Sequence, residues 1–274
     1  MNRLLSADLA RLRKHVLFLF GVSVMLIYGI VAPMQQYSET MKYAQISSPD
    51  KLFGGYIIPV CIMTAFLCCV FCAEEYDGGT VRNKLIIGHS RTDVYTSQFL
   101  TCLIAGIIMC LAYVIPSTLL GLILPGDFEK TASILALYLT SGMLCISACI
   151  SIYCMLITTV QNRTAGTVLT LFVVLIVIYI GIITGQHLKL PAETFRVITE
   201  NGVTKHIYGE NPHYPKGIYR TFLEIFYDVL PSGQAWQITY MTAEHLPRMI
   251  VSSCMIIIIS FLSGRKQFEK KDLK

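Results

Sequence analysis

The sequence predicts an all-α membrane protein with six transmembrane helices, and three observations predict it. Apolar residues make up 54% of the 274 positions and charged ones only 14%, where a soluble domain carries about a quarter charged. The apolar residues are concentrated in runs, and a bilayer takes about 20 residues of helix to cross. The basic residues fall on alternate connections. Arg3, Arg11, Arg13 and Lys14, then Arg82, Lys84 and Arg91, then Arg163, then Arg265, Lys266, Lys270, Lys271 and Lys274 lie on one side; Lys42, Lys51 and Lys130 lie in short loops on the other. By the positive-inside rule both termini are cytoplasmic. Topology absorbs most of the net charge of +5, so that charge makes no case for a nucleic-acid partner.

Residues 1–15 place Leu4, Leu5, Leu9 and Leu12 among Asp8, Arg11, Arg13 and Lys14, the pattern of an interfacial helix. The first span runs from Val16 to Ala32 and reads as an anchor, since no small-x-small cleavage site follows it. Residues 34–52, with Ser47-Ser48-Pro49-Asp50, form an outer loop. The second span, Phe53 to Ala73, carries Pro59 near its outer end, where a missing backbone donor is tolerated. The third, Thr96 to Leu124, is long enough to tilt or to kink at Pro116, and Pro125-Gly126-Asp127 turns the chain outside.

The fourth span, Ser133 to Thr158, is rich in Ser, Gly, Cys and Ala, which lets helices approach closely in lipid. Gln161-Asn162-Arg163 is a brief inner loop before the fifth span, Val168 to Gly185. The extracytoplasmic segment 186–247 is too long for an idle connection. Arg196 to Tyr208 reads as a hairpin turning at Glu200-Asn201-Gly202. Lys216 to Leu230 reads as a helix stopped by Pro231-Ser232-Gly233. Span six, Met249 to Leu262, leads into a basic tail. The whole chain, 1–274, reads as a single transmembrane domain.

The spans hold almost no ionisable side chains, whereas ion-driven carriers place such groups inside the bundle. No G-x-x-x-x-G-K-[ST] phosphate loop and no H-E-x-x-H occurs. Glu74-Glu75 is a paired carboxylate, but the histidines lie outside the spans, so the residues point away from an enzyme. All ten cysteines fall within spans and read as small packing residues. Cys68 and Cys72, and Cys145 and Cys149, share a helix face at i,i+4, but without His or carboxylate partners the pattern is not that of a metal site.

One polar patch remains, from Glu74 to Asp93, wedged between spans two and three. Gly78-Gly79 supplies a bend, Thr80 an N-cap, Val81 to Ile87 two helical turns and Gly88 a left-handed end. Ser90-Arg91-Thr92-Asp93 then opens the next helix with an S-x-x-D pattern. Spacing alone fits equally a short rigid helix at the water boundary or an ordinary loop whose glycines make the turn.

The run Glu75-Tyr76-Asp77-Gly78-Gly79-Thr80-Val81-Arg82-Asn83-Lys84-Leu85, followed by Gly88 and Ser90-Arg91, resembles the motif between spans two and three of ABC-2 type transporter permeases. The Asp8-containing surface helix, the six spans and the long segment before span six agree with it. The likeness is nearest the bacterial branch that moves lantibiotics and other peptide antibiotics. The resemblance implies a permease subunit in a bacterial plasma membrane, without catalytic residues or a cofactor of its own. It implies two copies of a separate ABC ATPase, which bind ATP and Mg, and a second permease, identical or related. The segment after span two would be the coupling helix. Val81 and Leu85 would offer an apolar stripe to the ATPase, Glu74, Glu75, Arg82 and Lys84 would make polar contacts, and Gly79 and Thr80 would shape the turn. Glu75 and Arg82 could instead pair with each other or with the surface helix. The family's direction is outward, and a pathway at the permease dimer interface, lined by spans two and five, would be largely apolar and would suit a hydrophobic or amphipathic cargo such as a peptide or lipid-linked molecule. A membrane-embedded sensor or accessory subunit that binds an extracellular ligand through segment 186–247 is the alternative.

Overall fold

The computed structural model describes residues 1–43, 48–124, 128–160, 163–200 and 203–270. In chain order its elements are α1 (Asn2–Lys14), α2 (Val16–Tyr43), α3 (Asp50–Phe53), α4 (Ile57–Asp77), α5 (Thr80–Ile86), α6 (Arg91–Ile123), α7 (Ala132–Val160), α8 (Arg163–Leu188), β1 (Glu193–Glu200), β2 (Val203–Glu210), α9 (Gly217–Val229), α10 (Pro231–Thr239) and α11 (Leu246–Lys270). Helices α2, α4, α6, α7, α8 and α11 are long and apolar enough to cross a membrane. The fold is therefore an all-α membrane protein with six spans, as the apolar runs require. The turn residues Pro125-Gly126-Asp127, Gln161-Asn162 and Asn201-Gly202, and the last four residues of the tail, lie outside the described residues.

Helices α4, α6 and α7 supply most of the buried core, while α2, α8 and α11 turn apolar faces outward, with Phe20, Phe172 and Ile258 among the exposed residues. Lipid offers helices no hydrophobic gain on association, so close backbone approach and hydrogen bonds must hold the bundle. Both are present. A Cβ on Gly29 of α2 would lie 2.6 Å from the Tyr113 carbonyl oxygen on α6. Ser260 on α11 donates to the Ser151 hydroxyl on α7 at 2.7 Å.

Helix boundaries differ from the expectation where polar residues are involved. Helix α2 passes through Pro33 and continues to Tyr43, so the first outer connection starts about ten residues later than residue 34. Its polar last turns stay helical because one missing donor costs a single bond. Thr40 there donates to the Gln36 carbonyl at 3.0 Å. Helix α6 begins at Arg91 because the Ser90 hydroxyl accepts from the Asp93 amide at 3.0 Å, the cap that S-x-x-D encodes.

The segment before the last span also departs from expectation. The hairpin forms, antiparallel, with Glu193 opposite Glu210 and Glu200 opposite Val203. Helix α9 stops ahead of Pro231 as expected, but a further helix follows at once. Leu230 breaks the chain in extended conformation, and Pro231 is the first residue of α10, where its missing N–H removes no intrahelical bond. Helix α10 packs against α4, α7 and α8, sunk among their ends rather than lying over them. Gln234 is buried there, donating to the Asp228 carbonyl at 2.8 Å and accepting from Ser253 at 2.7 Å, so its amide enters the bundle with its hydrogen bonds made.

Candidate functional site

The short helix α5 is set by its two ends. Gly79 precedes it with φ 65° and Gly88 follows with φ 102°, both in the left-handed region that favours glycine. The Gly88 amide donates to Leu85 and the His89 amide to Lys84, at 3.0 and 3.2 Å, which is the Schellman arrangement. Thr80 is thus the first residue of the helix and not its cap, the cap being Gly79. The reason is steric: the capping position needs positive φ, which threonine resists.

The inner face of α5 rests on a buried ion cluster. Lys84 donates to Asp8 Oδ1 of α1 at 2.8 Å and to Glu75 Oε1 of α4 at 2.7 Å. Arg11 of α1 reaches Glu75 Oε1 at 2.8 Å, donates to the Phe71 carbonyl at 2.9 Å, and lies 3.8 Å above the Phe71 ring. Two neutral donors from the first turns of α6 complete it: Ser97 to Asp8 Oδ2 at 2.6 Å and Gln98 to Glu75 Oε2 at 2.5 Å. Asp8 is 3% exposed and Glu75 is 0% exposed.

Two carboxylates face two cations, so the cluster is neutral as a whole. Its parts are not interchangeable, because taking one charge away leaves another buried without compensation. Four elements, α1, α4, α5 and α6, are joined by these bonds. Helix α5 is thereby tied to the ends of two spans. Beside the cluster, His15 Nε2 stands 3.4 Å from Glu74 Oε2 on the more exposed side.

The residues singled out from the motif divide between two faces. Glu75 and Lys84 are inside the cluster, and Val81, at 2% exposed, faces the protein's own core with Leu85 packed partly beside it. The apolar stripe expected to meet a partner is thus turned inward. Glu75 pairs with the surface helix and with Lys84, while Arg82 is exposed. The free face of α5 consists of Arg82, Asn83, Ile86 and Ile87, the two isoleucines at 74% and 78% exposed. Asp8, Arg11, Ser97 and Gln98 were not legible as one site from order along the chain. Asp8 did leave a signal, being a carboxylate exactly midway, at i+4 and i−4, between the buried Leu4 and Leu12.

Among the crevices toward the other end of the bundle are two of contrasting lining. One, of about 170 Å³, is almost wholly apolar and sits between α4, α7, α8 and α10, with Ile58, Tyr153, Val177 and Trp236 in its wall. The Ser232 hydroxyl, also in the wall, is buried without a hydrogen-bond partner. The other, of about 210 Å³, is half polar, with Lys189, Glu224, Tyr227, Glu244 and His245 among its lining residues. Burial pushes the Tyr227 phenol up to about 12, so it is a neutral hydroxyl there.

Comparison with known proteins adds one finding. No curated protein matches the chain. A family model described as "ABC-2 family transporter protein" matches residues 4–180, a stretch that holds α1, the ion cluster and the first four spans. Since that match covers well over half of the chain, the protein belongs to the ABC-2 transporter family.

Proposed function

We propose that the chain is the permease subunit of an ATP-driven exporter, with two copies of a separate ATPase docking on the exposed face of α5 and a second permease beside it. The reading places the end bearing α1 and α5 in the cytoplasm of a bacterial cell. The observation that carries it is the ion cluster: α5 presents Ile86 and Ile87 to solvent while Lys84, on its other side, is bonded to α1 and α4. An apolar pair beside Arg82 and Asn83 is what a helix needs to seat in a groove of another protein. ATPase closure on α5 would then pull the ends of α4 and α6 together with it.

The apolar crevice supports an amphipathic cargo such as a peptide antibiotic. Its 170 Å³ compares with the ~150 Å³ cavity that accepts benzene, so it admits one aromatic or branched side chain rather than a whole peptide. The partnerless Ser232 hydroxyl offers the cargo one hydrogen bond. A second reading, a sensor subunit, draws on the half-polar crevice that Lys189, Glu224 and Glu244 help to line.

The test is co-purification with the ATPase and transport in the same membranes. Ile86→Asp with Ile87→Asp is expected to abolish ATPase association and transport while the chain remains inserted and folded. Undiminished ATPase binding by that variant would overturn the docking face. Transport retained after replacement of Glu224 and Glu244, with loss of a ligand response, would favour the sensor.

A further inference from the structure

We infer that four cysteines on three spans form a thiolate site for a soft d10 cation, Zn(II) or Cu(I), one turn deeper in the bundle than the ion cluster. The Sγ atoms of Cys68 on α4, Cys102 on α6 and Cys154 on α7 all lie within 4.8 Å of one another. Cys72, one turn from Cys68 on α4, brings its Sγ to 3.9 Å from that of Cys102. All four are buried. Metal–sulfur bonds of about 2.3 Å put the sulfurs around one ion roughly 4 Å apart, in trigonal or tetrahedral array. For Cys68, Cys102 and Cys154 the separations are within an ångström of that; Cys72, close to Cys102, must turn its side chain toward the others to serve as the fourth ligand.

Chemistry selects the ion. A set of sulfur ligands alone favours Zn(II) or Cu(I) over Mg(II), Ca(II) or Mn(II), which take oxygen. Zn(II) would use all four sulfurs and Cu(I) three. Each thiol gives up its proton when it ligates, so a site this buried is filled as the spans assemble rather than by exchange in the finished bundle. Cysteine as a small packing residue accounts for one buried thiol, but not for convergence from three separate spans. Cys61 and Cys149 elsewhere approach to 3.8 Å and serve as the internal comparison.

The placement gives the site a consequence. Cys72 is three residues before Glu75 and Cys102 four after Gln98, so the thiols stand directly above the ion cluster on the same two helices. A bound cation would join α4 and α6 to α7, which the ion cluster does not reach. The inference does not depend on the transport reading.

The full chain, expressed with added Zn(II) or Cu(I) and purified in detergent, is expected to hold one equivalent of metal. Its X-ray absorption should show a sulfur-only shell near about 2.3 Å, four sulfurs for zinc and three for copper. Cys68→Ala, Cys102→Ala or Cys154→Ala should each lower occupancy at least tenfold, while Cys61→Ala and Cys254→Ala keep it. Less than half an equivalent in the natural chain, nitrogen or oxygen in the shell, or loss of metal in Cys254→Ala would overturn the assignment. Because the natural chain decides those readings, a cysteine variant that fails to fold does not protect the idea.

Discussion

Glu75 is the residue on which the ion cluster turns, since both cations and the Gln98 amide converge on its two oxygens. Glu75→Gln keeps the shape but leaves Lys84 paired with Asp8 alone and takes from Arg11 the carboxylate it faces, and breaking a buried pair in this way costs about 3–5 kcal/mol. Thermal unfolding in detergent should show that loss for Glu75→Gln, recovery of part of it in Glu75→Gln with Lys84→Met, and almost no change for the exposed Arg82→Ala, within ~0.5 kcal/mol. Equal effects from Glu75→Gln and Arg82→Ala would contradict the cluster. Glu75 and Lys84 stood out in the sequence as part of a polar patch between apolar runs. Their partners did not, because Asp8 is 76 positions from Lys84, and hydropathy carries no information about which distant charge answers which.

Helix α5 shows why a short segment resists reading. With seven residues, apolar side chains at Val81, Leu85 and Ile86, and Ile87 capping its end, periodicity defines two candidate faces, and only the rest of the bundle decides which is covered. Val81→Asp is accordingly expected to lower the yield of folded chain, because its burial is internal. Ile86→Asp should leave the melting temperature unchanged and act on partner binding alone. Melting and pull-down measured on the same preparations separate the two. Helix α10 was missed for a related reason: Pro231 is a stop when read after α9 and a start when read before α10, and the break at Leu230 makes it both.

The link between the hairpin and α9 carries a pH dependence. The hydrogen bond and charge of Lys216, at 2.5 Å, hold the exposed Glu210 carboxyl below its usual range. A depressed carboxylate contributes above its unfolded value, near ~4.3, and the contribution is lost as pH falls through the folded one. Protection of the amides at the start of α9, taken relative to the intrinsic exchange rate at each pH, should therefore fall on acidification below roughly pH 4, and Lys216→Met should remove that response.

Across the molecule, six spans and their order were legible because lipid imposes length and apolarity on every crossing helix. Which spans are central was not, since a run facing lipid and a run facing protein have the same composition: α8, turned largely outward, and α4, largely buried, are both strongly apolar. The small element α1 is nonetheless fixed firmly to the whole through Leu4, Asp8 and Leu12. Deleting residues 1–14 should leave all six spans inserted but free α5, so that limited proteolysis cuts near Gly79 and Gly88. Resistance equal to that of the full chain would show that α5 needs no anchor from α1.

Helix α6 counts 33 residues, some 50 Å at ~1.5 Å per residue, well beyond the ~30 Å of hydrocarbon. Near one end it carries Ser97 and Gln98; farther along, the Tyr113 hydroxyl grips the Leu52 carbonyl at 2.8 Å. The same helix thus carries two handles roughly 22 Å apart along its axis at ~1.5 Å per residue. A tug at one handle would need no relay of side chains to reach the other, because one helical backbone joins them.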